Sequence, residues 1–181
     1  MSAHKAKTSS TMPCSEWDLV ITRVFDAPRE LVFKAWTESK HVAQWWGPTG
    51  FTNPLCELDV RVGGTIRIDM RAPNGVVYPM KGVFDEIDEP ERLVFISSAL
   101  DEKGNSMFDV LTNVTFAEQG GKTELTMQAR VIKATAQAQQ YLQGMEAGWT
   151  LSLDRLGKHL DSIQESKSST SSSIDKQEEH M

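Results

Sequence analysis

Residues 142–163 read LQGMEAGWTLSLDRLGKHLDSI, and their spacing decides the fold. Leu142, Met145, Trp149, Leu153, Leu156, Leu160 and Ile163 recur every three or four positions, which puts one apolar stripe along an α-helix. The pattern predicts a long helix over about 135–163, roughly 40 Å at ~1.5 Å per residue. Such a helix must bury its stripe on the largest apolar surface available. The upstream sequence supplies that surface as a sheet.

Residues 17–25 (WDLVITRVF) are rich in β-branched and aromatic side chains and predict a strand. Pro28 suits the first turn of a helix over 28–36, on which Leu31, Val32, Ala35 and Trp36 share a face. Thr37 can cap a second short helix that ends near Trp46, where Gly47-Pro48 terminates it. Cys56, Leu58, Val60 and Val62 then alternate with Glu57, Asp59 and Arg61, the mark of a half-buried strand. Past Gly63-Gly64, Ile66, Ile68 and Met70 alternate with Arg67, Asp69 and Arg71. Pro73-Asn74-Gly75 is a hairpin signal leading into a strand over 76–87, whose Tyr78, Met80, Gly82 and Phe84 share a face. Further strands follow over 92–98, 108–117 and 123–131, with turns at Glu89-Pro90-Glu91, Gly104-Asn105 and Gly120-Gly121. Sequential strands joined by short turns pair antiparallel. The expected class is α+β: a curved antiparallel sheet of about seven strands around a long C-terminal helix, with two short helices after strand one.

The chain has 181 residues, an apolar share of 39% and a formal charge of −6. Residues 1–15 are polar without period, and from 164 the chain turns Ser-rich and then charged. Such segments cannot bury enough apolar surface to offset their ordering entropy. The expected folded unit is therefore 16–163, with disordered tails at 1–15 and 164–181. Lys and Arg are dispersed, against nucleic acid and against a polybasic membrane patch. No stretch approaches the ~20 apolar residues of a spanning helix. Cys14 and Cys56 form no disulfide framework, so a reducing cytoplasm is expected.

Gly144 and Gly148 sit four apart inside the predicted helix, and with Ala147 they leave it thin. Gly82 does the same on its strand. Missing side chains there either let backbones approach closely or leave a void. Around them lie Met70, Met80, Met107, Met127 and Met145, which are soft and adaptable. Apolar walls with few polar groups are what a small-molecule pocket uses. The candidate lining is Trp36, Trp46, Phe51, Ile66, Ile68, Met70, Tyr78, Met80, Phe84, Phe95, Phe108, Met127, Met145 and Trp149.

Groups that carry chemistry are few. Of His4, His41, His159 and His180, no pair has metal-ligand spacing, and each of His41 and His159 reads as a surface residue. There is no Cys-x-x-Cys, no Gly-rich loop ahead of a helix and no nucleophile elbow, so neither a cofactor nor a metal is expected. Glu57, Asp59, Arg67, Asp69 and Arg71 fall on the polar strand face. Arg23 shares parity with Ile21 and Phe25, and Glu86 with Gly82 and Phe84; both could point inward, along with Tyr78 and Ser97. A buried Arg or Glu needs a partner, so Arg23 and Glu86 either pair with each other or position a ligand.

Residues 24–36 (VFDAPRELVFKAW), 45–48 (WWGP), Gly63-Gly64, Pro73-Asn74-Gly75, Gly82, 86–93 (EIDEPERL), Gly148-Trp149 and Leu153-Asp154-Arg155-Leu156 together resemble the SRPBCC superfamily. Within it they resemble the branch named for the activator of the Hsp90 chaperone ATPase. The resemblance covers about 16–163. It implies the helix-grip (START-like) fold, shared by START lipid-transfer domains and birch-pollen-type allergens, and a cavity between sheet and long helix. The superfamily includes lipid carriers, polyketide cyclases, hormone receptors and chaperone activators, so the fold does not fix the function.

Three functions fit. The first is a carrier or sensor that binds a small apolar molecule in the cavity. The second is a cyclase- or hydratase-type enzyme, with Arg23, Tyr78 and Glu86 as proton-moving or positioning groups. The third is a co-chaperone that docks through an exposed patch. A homodimer is compatible with each.

Overall fold

A computed structural model describes residues 18–136 and 143–178, with side chains of the last helix described as far as residue 166. The elements run β1 (Leu19–Phe25), α1 (Arg29–Thr37), α2 (Ser39–Trp45), β2 (Thr52–Leu58), β3 (Thr65–Arg71), β4 (Val77–Asp88), β5 (Arg92–Leu100), β6 (Ser106–Gln119), β7 (Lys122–Ala134) and α3 (Met145–Glu178). The sheet is antiparallel throughout, in the order β1-β7-β6-β5-β4-β3-β2. Strands β2 to β7 form the expected meander. β1 returns to pair with β7, Leu19 opposite Ala129 and Phe25 opposite Thr123. The two short helices carry the chain from one edge of the sheet to the other, and α3 lies in the curl. This is the helix-grip arrangement.

The apolar pattern explains the packing. Ile66, Ile68, Met80, Phe84, Phe95, Val110, Val114, Phe116, Leu125, Met127 and Ala129 are buried along the strands. Leu153, Leu156 and Leu160 of α3 join them, as do Val32, Phe33, Ala35 and Trp36 of α1 and Val42 and Trp45 of α2. The indole of Trp45 donates to the Ala35 carbonyl at 2.9 Å, which ties α2 to α1. The α3 stripe divides in two. Leu153 to Leu160 is packed dry, whereas Met145 and Trp149 are only half-buried.

Gly82 of β4 lies opposite Ile66 of β3 and Ser97 of β5. A Cβ there would be driven into the Ile96 carbonyl of β5, so this glycine is a close backbone approach rather than a void. Gly148 is the opposite case. A Cβ there would meet only Pro48 Cγ, at 4.0 Å.

Several sequence boundaries shift. β2 starts earlier, at Thr52, and ends at Leu58. Val60 and Val62, expected on its buried face, are 41% and 65% exposed. They lie in a tight turn where Asp59 N–H donates to the Thr65 carbonyl and Arg61 pairs with Asp59 at 2.8 Å. The second short helix is capped at Glu38, and the Thr37 hydroxyl instead donates back to the Phe33 carbonyl in α1. The last helix does not begin at Thr135, because the Thr135 N–H and hydroxyl both donate to the Met107 carbonyl at 3.0 Å and hold that residue on the sheet. Leu142, expected on the stripe, lies outside the described residues. At its far end α3 runs past Ile163 to Glu178, into the Ser-rich stretch.

Candidate functional site

The half-buried part of α3 roofs a cavity of about 360 Å³. Met145, Gly148, Trp149 and Ser152 form the roof. Trp46, Gly47, Pro48 and Phe51 close one side, and the floor is Met70 from β3, Tyr78, Pro79 and Met80 from β4, Ser97, Ala99 and Leu100 from β5, and Met107, Phe108, Val110 and Thr112 from β6. The volume falls at the small end of the ~300–1,000 Å³ typical of ligand pockets. No Asp, Glu, Lys, Arg or His lines it among the described residues.

Eight of the candidate residues form its wall: Trp46, Phe51, Met70, Tyr78, Met80, Phe108, Met145 and Trp149. Trp36, Ile66, Ile68, Phe84, Phe95 and Met127 sit behind the wall in the packed core. The aromatic rings interlock. Trp149 meets Trp46 edge-on at 5.2 Å between centroids and stacks on Trp36 at 5.9 Å, while Phe51 lies 6.2 Å from Tyr78.

The two charged candidates are placed elsewhere. A bulge between Phe84 and Glu86 shifts the β4 register by one residue, and one extra residue sends every later side chain to the opposite face. Glu86 therefore points outward, half exposed, and pairs with Arg92 at 3.2 Å. Arg23 does face α3, but its partner is Asp154 at 2.7 Å, with a longer contact to the Thr150 carbonyl at 3.5 Å. Arg23 and Glu86 do not pair, and neither lines the cavity.

The loop at the cavity side is fixed by two residues on other elements. Arg155 of α3 donates to the carbonyls of Gln44, Trp46, Gly47 and Pro48 at 2.9–3.2 Å. It satisfies carbonyls that the C-terminus of α2 would otherwise leave open. Asn53 Nδ2 donates to the Ala43 and Trp46 carbonyls at 3.0 and 2.9 Å. Gly47 adopts φ +95°, and its missing side chain leaves room for Met70 and Phe51.

Four residues that carry hydroxyls line the cavity, Tyr78, Ser97, Thr112 and Ser152; the Thr112 Oγ1 itself is buried without a hydrogen-bond partner. Thr112 and Ser152 were absent from the sequence candidates. The signal for Thr112 was available, since it alternates with the inward Val110 and Val114 on β6. Ser152 lies one helical turn from Trp149. The Cys56 thiol, packed against the core, is pushed up to about 11 by burial, so it is not a thiolate nucleophile near neutral pH.

His41 and His159 are not separate surface residues. His41 Nδ1 and His159 Nε2 are 2.9 Å apart, bridging α2 and α3, and Glu38 Oε1 lies 3.6 Å from His41 Nε2. Burial, then the neighbouring His41, hold the His159 imidazole below its ordinary value. Among the described residues no three His, Cys, Asp or Glu side chains are grouped to hold a metal, and no helix is long and apolar enough to cross a membrane.

Solved structures with a similar fold include three bacterial proteins. One from Nitrosomonas europaea is 24% identical over 83% of this chain and 97% of its own, with a TM-score of 0.71. One from Arthrobacter aurescens is 21% identical over 86% of this chain and 92% of its own, with a TM-score of 0.73. The protein named AHSA1 from Silicibacter pomeroyi is 23% identical over 79% of this chain and 96% of its own, with a TM-score of 0.66. Among curated proteins nothing matches. Residues 26–161 match the profile of the family described as Activator of Hsp90 ATPase homolog 1-like protein, and with that span covering most of the folded region, the chain belongs to this family.

Proposed function

We propose that this chain binds a small, largely apolar molecule between its sheet and α3, as a carrier or sensor. The observation that carries the reading is the cavity of about 360 Å³ walled by aromatic and Met side chains. Interiors normally close-pack. Here Gly148 keeps the roof thin, and Arg155 fixes the loop that forms the side wall. Met side chains adapt to whatever shape enters. An enzyme of the cyclase or hydratase type draws less support, because Arg23 and Glu86 are engaged outside the cavity.

The test is native mass spectrometry of the gently purified protein, followed by extraction of anything bound. A bound apolar compound of defined mass supports the reading. An unliganded mass, together with no binding across a panel of neutral apolar compounds, sinks it. If the chain then stimulated the ATPase of Hsp90, the role in the family's name would take its place.

A further inference from the structure

The roof and the floor of the cavity each carry a serine at the point where open space gives way to packed core. Along α3 the inward face runs Met145, Trp149, Ser152, Leu156, and Ser152 is the last of these to line the cavity, because Leu156 is fully buried. Along β5 the inward side chains run Ala99, Ser97, Phe95, and Ser97 is the last, because Phe95 belongs to the core.

The protein itself uses neither hydroxyl. Ser152 is only 5% exposed, yet its Oγ has no hydrogen-bond partner among the described residues. A hydroxyl inside a helix commonly bonds back to the carbonyl one turn earlier, as Thr37 does to Phe33; Ser152 makes no such bond to Gly148. Ser97 Oγ likewise has no partner among the described residues, whereas its neighbour Ser98, on the other face of β5, donates to Asp109 at 2.6 Å. Thr112 Oγ1 is sealed inside the wall, but the Ser97 and Ser152 hydroxyls are not sealed and belong to residues that line the cavity. Water can satisfy such hydroxyls in an open cavity. A hydrocarbon that fills the space expels the water and leaves both hydroxyls unpaired, which costs affinity. A ligand oxygen at that level restores the bond, since a serine hydroxyl both donates and accepts. No cation lines the cavity among the described residues, and an unpaired carboxylate is far costlier to desolvate than a neutral oxygen.

Taking the cavity-ligand reading above as its basis, we infer that the occupant is an uncharged molecule with an apolar body and a carbonyl or hydroxyl oxygen, which the Ser152 and Ser97 hydroxyls receive at the inner end of the cavity. The apolar body lies towards the rim, against Met107, Phe108 and Met145. The two serines thereby select oxygenated ligands over plain hydrocarbons, and the uncharged wall selects against carboxylates.

The test is isothermal titration of the full chain, as wild type, Ser152→Ala and Ser97→Ala, with four probes on one skeleton: diphenylmethane, diphenylmethanol, benzophenone and diphenylacetate. The readout is the affinity for each neutral oxygenated probe divided by that for diphenylmethane; comparing this ratio between proteins cancels the probes' own hydration. Replacing at least one of the serines lowers the ratio for diphenylmethanol or benzophenone by about 2- to 12-fold, the range of one net hydrogen bond, while diphenylmethane binds as well as before or better. Wild type binds diphenylacetate at least ~10-fold more weakly than diphenylmethanol. Alanine is the better helix former at 152, and Ser97→Ala is a second variant on a different element. If neither substitution changes the ratio, or diphenylacetate binds as tightly as diphenylmethanol, this inference is overturned and the cavity reading stands. If none of the four probes binds wild type, the cavity reading itself fails and takes this inference with it.

Discussion

The indole of Trp149 lies nearly parallel to that of Trp36, with 5.9 Å between centroids and 14° between planes. Trp36 belongs to the core, and Trp149 forms the cavity roof. The stack is therefore the joint between the dry half of the molecule and the half that can admit a ligand. Trp149→Ala removes one ring from this joint and enlarges the cavity. Stability should fall by about 2–4 kcal/mol, less than a fully buried Trp because Trp149 is half exposed to the cavity. Ligand affinity should drop at least ~10-fold, since aromatic anchors dominate such sites. Chemical denaturation and titration with the extracted ligand measure the two effects. Unchanged affinity would remove Trp149 from the site.

Two glycines should respond in opposite directions. Gly148 has open space beside it, so Gly148→Ala should raise stability by about 0.5–1 kcal/mol through helix propensity. Gly148→Leu should keep the fold and fill the cavity, blocking ligand. Gly82 faces the Ile96 carbonyl, so Gly82→Ala should destabilise by more than about 2 kcal/mol or prevent folding. Urea denaturation of the three variants checks the pattern. Equal effects at Gly148 and Gly82 would mean that the space beside Gly148 is not open.

How much of this was legible in the sequence depended on whether a feature repeats. The α3 stripe and the alternation of β3 and β7 repeat, and the fold could be read from them. On β4 the alternation from Tyr78 to Phe84 was also reliable, until the bulge before Glu86 broke it. A bulge adds one residue and leaves no periodic mark, so parity alone put Glu86 inside. Arg155 and Asn53 act on backbone carbonyls, which are the same in every sequence, so their roles left no pattern. The contact between His41 and His159 spans 118 positions and depends on the packing of α2 against α3.

Glu86 gives the sharpest check of that corrected parity. Its partner Arg92 is also exposed, and surface pairs contribute little. Glu86→Gln should change stability by less than about 0.5 kcal/mol and leave ligand affinity unaltered. A loss of binding would mean that Glu86 reaches the cavity after all.

Arg155→Lys tests the clamp on the 44–48 segment. Lysine keeps the charge but cannot fork to four carbonyls. The variant should lose about 2–4 kcal/mol of stability from its unmade hydrogen bonds. Amide exchange should accelerate in 46–51, which forms the cavity side, with weaker ligand binding as a result. Uniform exchange changes across the molecule would argue against a local clamp.

The His41–His159 contact sets a pH dependence whose sign follows from its geometry. Two imidazoles 2.9 Å apart share one hydrogen bond most easily when at least one ring is neutral. The charged groups beside His41 are Glu30 and Lys34 on α1, Glu38 at the N-cap of α2 and Lys40 on α2; of these, Glu38 lies 3.6 Å from His41 Nε2. Burial first, then His41, lowers the folded-state value of His159 below its ordinary 6.5. Between the lowered folded value and the unfolded one, the unfolded chain binds more protons, so stability rises with pH through that window. This contribution is fully present above about 6.5 and is lost as pH falls through the folded value. His159→Gln keeps a hydrogen-bonding side chain without a titrating group, and it should flatten the slope of stability against pH below about 6.5. Urea denaturation of both proteins at stepped pH reads this directly. Parallel slopes in the two proteins through that window would mean that His159 does not set the acid sensitivity there; the carboxylate of Asp109 acts at lower pH. Burial raises the Asp109 value, but hydrogen bonds from Ser106 and Ser98 and the charges of Lys133 and Lys81 outweigh it and hold the group below its ordinary range. Its stabilising contribution would therefore persist through the histidine window and fade only at lower pH.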